Sequence, residues 1–421
     1  MSSQSRKKIL ISAYACSPYK GSEPGVGWGF VAELSKHHDL WVIVEEVFFR
    51  EHIERFINEN PGSMKSVNFY FIPAIRKPLL RKLWPPSFYY FYRQWHRDAF
   101  DLAVRLSMEV KFDVVHQLTM VGFREPGYLW RLGIPFVWGP VGGIGLFPWR
   151  FLPTLGLKGA IYYLAYNLLN WLQVRFYSRP KKAACIADIG LIAATPENQM
   201  GAAQYWGNKK ASLISEVGLP SMYASKPCLR EPNQHLHIIW AGQHTPGKAL
   251  NLGLEALAGL SKTQKWHLHV LGEGESSHKW KNLAADLGIE ERITFYGWLP
   301  RDEALRMMQK GHLMLISSLR DLTSTVTIEA LAQGLPIVCL DHCGFSDVVN
   351  ERCGIKVAVT SPTAAIKDLR DAISRLEADE SFRRELALGA LERARNFSWE
   401  TKVTALNRIY SEVIAAHDGN A

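Results

Sequence analysis

The 421-residue sequence predicts an α/β protein made of two Rossmann-like, doubly wound parallel-sheet domains facing a cleft. Three observations carry that expectation. The chain is longer than one hydrophobic core usually grows. Strand-length apolar runs alternate with helix-length amphipathic stretches along nearly all of it, the pattern of parallel sheets covered by helices. The rhythm fails once, at residues 219–234 (LPSMYASKPCLREPNQ), where Pro, Ser and Asn collect and a linker fits.

The first domain is expected over residues 1–218. ILISAYA (9–15) reads as a buried strand, followed by a Gly-rich loop and a helix over 26–37; WVIVEE, VNFYFIP (67–73), FDVVHQL (112–118), PFVWG (135–139), IGLIAAT (189–195) and ASLISEVG (211–218) continue the strand series. The second domain, 235–398, repeats the pattern: HIIWAG, WHLHVLG, ITFYG, LMLIS, PIVCL and IKVAV as strands, with LNLGLEALAGL, KWKNLAADLG, RDEALRMMQ and TVTIEALAQ as helices between them. Helices over 362–377 and 380–395 follow, and a last one, 399–416, packs back on the first domain, with Ser398 placed to cap it.

The formal charge of +9 calls for an anionic partner or surface. No recognition helix or single-strand-binding motif accompanies it, so nucleic acid is not expected. Six scattered Cys do not make a disulfide framework, and the N-terminal apolar run is too short for a signal peptide. No stretch of about 20 uninterrupted apolar residues stands out as a membrane span. These features point to a cytoplasmic protein, or one peripheral on the inner face of the membrane. Two basic aromatic stretches, 74–97 and 151–182, suit either an interfacial helix on anionic lipid or an aromatic core helix with a solvated basic edge.

Open parallel sheets bind ligands at the carboxyl ends of their strands, so the loops there are the first candidates for a site. After the first strand comes KGSEPGVGWGF, with Gly21, Ser22 and Glu23; such a loop serves either a tight turn or a close approach to an anion or sugar hydroxyl. In the second half, Gly242, Gln243 and Lys248 follow a strand, and Lys248 opens a helix, where a cation opposes the dipole unless it faces an anion. The most informative stretch is SSLRDLTSTVTIEALAQGLPIVCLD. Its Thr323, Ser324 and Thr325 begin a helix whose amides and hydroxyls suit phosphate, and Glu329, further along that helix, suits ribose hydroxyls. A capped structural helix is the alternative. No Asp-x-Asp pair clamps a metal, and Cys339, His342 and Cys343 lack a second paired motif, so neither metal nor cofactor is expected.

GSEPGVGW, FDVVHQL, WGPVGG, AGQHTPGK, LGEGE, the Asp321 to Glu329 motif with EALAQGLPIV, CGFSDVV and FSWE, in this order and spacing, resemble glycosyltransferase family 4, retaining enzymes of the GT-B fold in bacterial cell-surface glycan synthesis. The resemblance covers most of the chain. It implies a hexosyltransferase-type enzyme moving a sugar from a nucleotide-sugar donor to a glycan or lipid-linked acceptor in surface polysaccharide biosynthesis, with the acceptor on the first domain and the donor on the second. It implies donor contacts from Gly242, Gln243, Lys248, Thr323 to Thr325, Glu329 and Gly344, and acceptor contacts from Gly21, Ser22, Glu23, Gly142 and Gly143. Asp321 stands where the family has the first Glu of its motif, and His116 matches the first of two His, with Leu118 at the second; these two take the catalytic positions, a core histidine being the alternative for His116. Gln243 replaces the usual phosphate-binding Arg, so Lys248 carries more of the charge, with His244 or Arg320 as candidate helpers. Two other readings fit the same architecture: a nucleotide-sugar epimerase and a catalytically degenerate glycan-binding relative.

Overall fold

Buried parallel strands read as continuous apolar runs because both faces are covered, and the chain folds accordingly. In the computed structural model, which describes residues 6–75, 79, 87–220, 226–231 and 234–419, two compact units form. Parts of the predicted 219–234 linker and of the basic stretch 74–97 lie outside the described residues.

Unit one comprises residues 1–145, 172–218 and 399–421. Its strands are β1 (Lys8–Ala13), β2 (Asp39–Glu45), β3 (Val67–Ile72), β4 (Val114–Thr119), β5 (Phe136–Val141), β6 (Leu191–Ala193) and β7 (Ser212–Leu213), in the order 3-2-1-4-5-6-7 with parallel pairings throughout. The central strands are sealed from water; Ile9, Leu10 and Ile11 are fully buried. The first helix, Ser22–Leu34, packs closely enough to require glycines within it. A Cβ on Gly27 would strike the Ala15 carbonyl, and one on Gly29 would strike the Trp399 ring. The terminal helix, Trp399–Asp418, docks through Trp399, through Lys402 donating to the Ser215 carbonyl at 2.8 Å, and through buried Tyr410.

Unit two comprises residues 146–171 and 219–398. Strands β8 (Leu236–Ala241), β9 (Trp266–Leu271), β10 (Ile293–Gly297), β11 (Leu313–Ile316), β12 (Ile337–Leu340) and β13 (Gly354–Val357) take the order 10-9-8-11-12-13, again parallel. Trp240, Trp266 and Trp280 fill its core together with Phe147, Phe151, Leu155 and Tyr163, so the segment before residue 172 belongs to this core. The helix Thr325–Ala332 buries Ile328, Ala330 and Leu331 and stops where Gly334 turns left-handed at φ +72° and Pro336 follows. The predicted 301–309 helix forms as Arg301–Gln309, and the pair at 362–377 and 380–395 as Pro362–Ala378 and Glu380–Ala394.

Candidate functional site

In a doubly wound sheet the strand order reverses at one place, and the loops leaving the two strands there diverge to leave a crevice. In unit two that place lies between β8 and β11, and in unit one between β1 and β4. Each pair of loops is joined across the reversal by a carboxylate.

In unit two the residues after β8 run through Gly242 to a 3-10 turn, Pro246–Lys248. Lys248 forms an ion pair with Asp321, which follows β11. Both side chains are about one-fifth exposed, so the pair is shielded yet reachable. The loops are also locked through backbone: Leu319 N–H donates to the Gly247 carbonyl at 2.8 Å, and Ser317 Oγ donates to the Lys248 carbonyl at 3.0 Å. Arg320 lies over the Tyr166 ring, 4.7 Å from its centre, and bonds its hydroxyl. Gln243 is exposed at the loop tip. His244 does not help with charge: it is buried between Trp240 and Trp280, bonded to Ser277 at 2.8 Å, and burial lowers its pKa to about 4.

Thr323, Ser324 and Thr325 divide. Thr323 is fully buried against Gly344, whose N–H donates to the Leu322 carbonyl at 3.0 Å, so its hydroxyl faces protein and not a crevice. Ser324, with positive φ (+65°), and Thr325 are half-buried at the helix start, and Ser324 makes no side-chain cap. Glu329 is buried and held by Arg301, whose Nε and Nη2 reach Oε1 at 2.8 and 2.7 Å. Burial raises the Glu329 pKa while Arg301 opposes the rise. Lys248 does not open a helix as expected, since it ends the 3-10 turn and the helix begins at Leu250; Arg301, which the sequence reading passes over, is the cation that stands at a helix start. Cys339 is buried within β12, and Cys343 Sγ accepts from the Asp321 N–H at 3.3 Å.

In unit one a cavity of about 530 Å³ opens beside the same kind of reversal. Tyr14, Phe48, Phe88, Phe91, Tyr92 and Met120 line it, with Glu23 as its carboxylate. Both Glu23 oxygens accept from the Val121 N–H at 3.2 Å, tying the loop after β1 to the loop after β4. Burial pushes the Glu23 pKa up to about 7, and the charge of buried Glu216, which sequence reasoning passed over, adds to the rise. Gly21 and Ser22 are exposed beside it. Gly142 is different: its N–H donates to Val121 at 2.6 Å and its carbonyl accepts from Phe123 at 3.1 Å, so both backbone groups are already taken. Gly143 serves a turn at φ +85°.

His116 requires a correction. It is fully buried in β4; Nε2–H donates to the Gly139 carbonyl at 2.8 Å and Nδ1 accepts from the Tyr410 hydroxyl at 2.7 Å. With both nitrogens occupied and its pKa lowered to about 4 by burial, it is a core histidine that anchors the terminal helix, not a catalytic group. His116→Leu is expected to strand the Tyr410 hydroxyl and the Gly139 carbonyl and cost about 2–4 kcal/mol in urea unfolding, while turnover per folded molecule stays unchanged.

Buried and half-buried imidazoles also set the acid limit. His96 falls to about 3, and His116, His244, His269 and His312 to about 4, each chiefly through burial. Because these folded-state values lie below the ordinary 6.5, their contribution is complete above pH 6.5 and is lost as pH falls toward 4. Glu23, Glu329 and Glu255 act oppositely, burial raising each carboxyl's pKa and so favouring the fold at lower pH, but they are three carboxyls against five imidazoles. The melting temperature is expected to drop by roughly 10 °C or more between pH 7 and pH 4.5 in a thermal scan.

Solved structures with the same fold cover nearly the whole chain. A glycosyltransferase from Rickettsia africae superposes with TM-score 0.64 at 14% identity over 98% of this chain and 99% of that one. Sucrose-phosphate synthase from Thermosynechococcus elongatus gives 0.61 at 15% over 98% and 100%, and Anabaena HepE, solved with UDP, 0.58 at 15% over 97% and 100%. These likenesses establish the fold, that of the GT-B glycosyltransferases. Among curated proteins, D-inositol 3-phosphate glycosyltransferase from Corynebacterium efficiens is 28% identical over 46% of this chain and 47% of its own length. The Salinispora tropica enzyme of that name is 34% identical over 32% and 27%. The chain thus spans about half the length, or less, of the curated relatives it matches. Residues 225–393, the body of unit two and the stretch that carries Lys248, Asp321, Arg301 and Glu329, match the family model of the glycosyl transferases group 1.

Proposed function

We propose that the protein is a hexosyltransferase that moves a sugar from a nucleotide-activated donor to a glycan or lipid-linked acceptor. The observation that carries this reading is the grouping of Lys248, Asp321 and a helix start at Ser324 on the two loops of the unit-two strand reversal, within the stretch that matches the group 1 family. The donor's diphosphate meets Lys248 and the amides at Ser324 and Thr325. Its ribose hydroxyls donate to Glu329, whose carboxylate Arg301 holds in place. Arg320, immobilised on Tyr166, supplies the second cation that Gln243 lacks. Asp321 positions Lys248 as its counter-ion.

As the bond from anomeric carbon to diphosphate breaks, negative charge grows on the leaving oxygens, and a cation already fixed in place stabilises that charge without reorganising. The acceptor occupies the unit-one cavity, where Glu23 accepts a hydrogen bond from the attacking hydroxyl and the aromatic walls exclude water. We further propose family 4 membership, retention of anomeric configuration by same-face attack, independence from metal, a cytoplasmic site of action and a role in surface polysaccharide synthesis. Relatives solved with UDP and UDP-glucose make uridine nucleotides the first donors to try.

The test is a donor screen that follows nucleoside diphosphate release with and without sugar acceptors, in EDTA. Acceptor-dependent release with an α-linked product from an α-linked donor supports the reading. Interconversion of the nucleotide sugar without release would instead identify an epimerase, and binding without any release a degenerate relative. Activity that disappears in EDTA and returns with Mg²⁺ would overturn metal independence.

A further inference from the structure

The helix Gly156–Phe176 is built inside out over its unit-two part. Gly159, Tyr163, Asn167 and Asn170 face inward, and Asn167 clamps the backbone of Phe147, accepting from its N–H at 2.9 Å and donating to its carbonyl at 2.8 Å. The outward face carries Leu157, Ile161, Leu164, Leu168 and Trp171, at alternating intervals of four and three that hold them in one stripe, flanked by Tyr162 and Leu169. The leucines and isoleucine of this stripe are half or more exposed. Soluble proteins scatter exposed apolar residues singly, and a continuous row about 21 Å long at 1.5 Å per residue calls for something to cover it.

Charge identifies the cover. No Asp or Glu occurs between Glu125 and Asp188, while exposed Arg150 precedes the stripe and Lys158 and Arg175 stud and follow it on the same helix. A second copy of this chain would bring like charges together, whereas an anionic bilayer supplies both hydrocarbon for the leucines and phosphate for the cations. No helix among the described residues is long and apolar enough to cross a membrane, so the contact is one of lying on the surface. We propose that the outer face of helix Gly156–Phe176 docks the protein on an anionic lipid bilayer. The inner face of the same helix holds the loops of the candidate site, through Tyr166 on Arg320 and the Tyr163 hydroxyl against Gly247, so docking anchors unit two close to where the donor is proposed to bind. The inference stands on exposure and charge and does not depend on the transfer chemistry.

Flotation of the full chain tests it, using vesicles of phosphatidylglycerol with phosphatidylcholine and vesicles of phosphatidylcholine alone. The protein is expected to float with the anionic vesicles at low salt, less so at high salt, and little with the neutral ones. The L164E/L168E variant, changed only at exposed positions, is expected to keep its circular dichroism and melting temperature and to lose about tenfold in partition. A wild-type chain that stays in the soluble fraction with anionic vesicles overturns the proposal, as does a folded variant that floats equally well. A dimer in sedimentation that L164E/L168E dissociates, seen without vesicle binding, would assign the face to a second copy instead.

Discussion

Lys248→Met is expected to lower donor turnover by about 10²–10³-fold while leaving the protein folded. Methionine keeps most of the volume of the lysine stem and removes the charge, so packing against Gly242 is largely preserved. The loss should fall on kcat as well as KM, because the ammonium interacts more strongly with the departing diphosphate than with the bound one. Asp321→Asn separates two roles for its partner. If Asp321 positions Lys248, the asparagine variant keeps the cation and loses activity only modestly, and the K248M/D321N double variant is no worse than K248M alone. If Asp321 instead contacts the donor sugar, the two single losses multiply. Thermal stabilisation by UDP gives a second readout: saturating nucleotide raises the melting point of the wild type, and K248M should lose most of that shift. A folded K248M enzyme within about threefold of wild-type turnover would remove the lysine from the chemistry.

The strands were legible because parallel strands covered on both faces leave uninterrupted apolar runs, as in ILISA and in LMLI of β11. Helix Arg301–Gln309 was legible from its composition alone. The pairings that define the site were not, because each joins residues distant in sequence: Lys248 with Asp321, Arg301 with Glu329, Glu23 with Val121. His116 shows the limit of arguing from a strand end. Such a position says that a residue is near the crevice, but the two-residue period of the strand decides which face its side chain takes, and here its partner Tyr410 arrives from the far end of the chain. The helix Gly156–Phe176 shows a second limit. Apolar nearly all round, it offers no periodic cue to its inward side, and the structure turns Asn167 and Asn170 inward while the leucines face out. Periodicity therefore does not separate the interfacial from the core reading of this stretch. In the other basic stretch, by contrast, the described part of 74–97 buries Tyr92, Trp95 and His96 as a core helix would.

Glu329→Ala is expected to reduce kcat/KM for the donor by about 10²-fold, mostly through KM, since a hydroxyl of the bound ribose loses its acceptor in a site with little water to replace it. Glu329→Gln, which retains one carbonyl oxygen, should be intermediate. The stronger test uses Arg301, which is more than half exposed and can be removed with little effect on the core. Burial raises the Glu329 pKa and the guanidinium lowers it, so in Arg301→Ala the carboxyl protonates at a higher pH than in the wild type. A protonated carboxyl accepts ribose hydroxyls less well, and the acid limb of the donor-KM profile should therefore move upward in pH, with near-normal KM recovered at alkaline pH. A merely structural role for the pair predicts the reverse pattern: a lower melting temperature and a pH profile of KM that does not move. Equal profiles for wild type and a folded Arg301→Ala enzyme would detach Glu329 from the donor, and with it the ribose half of the proposed site.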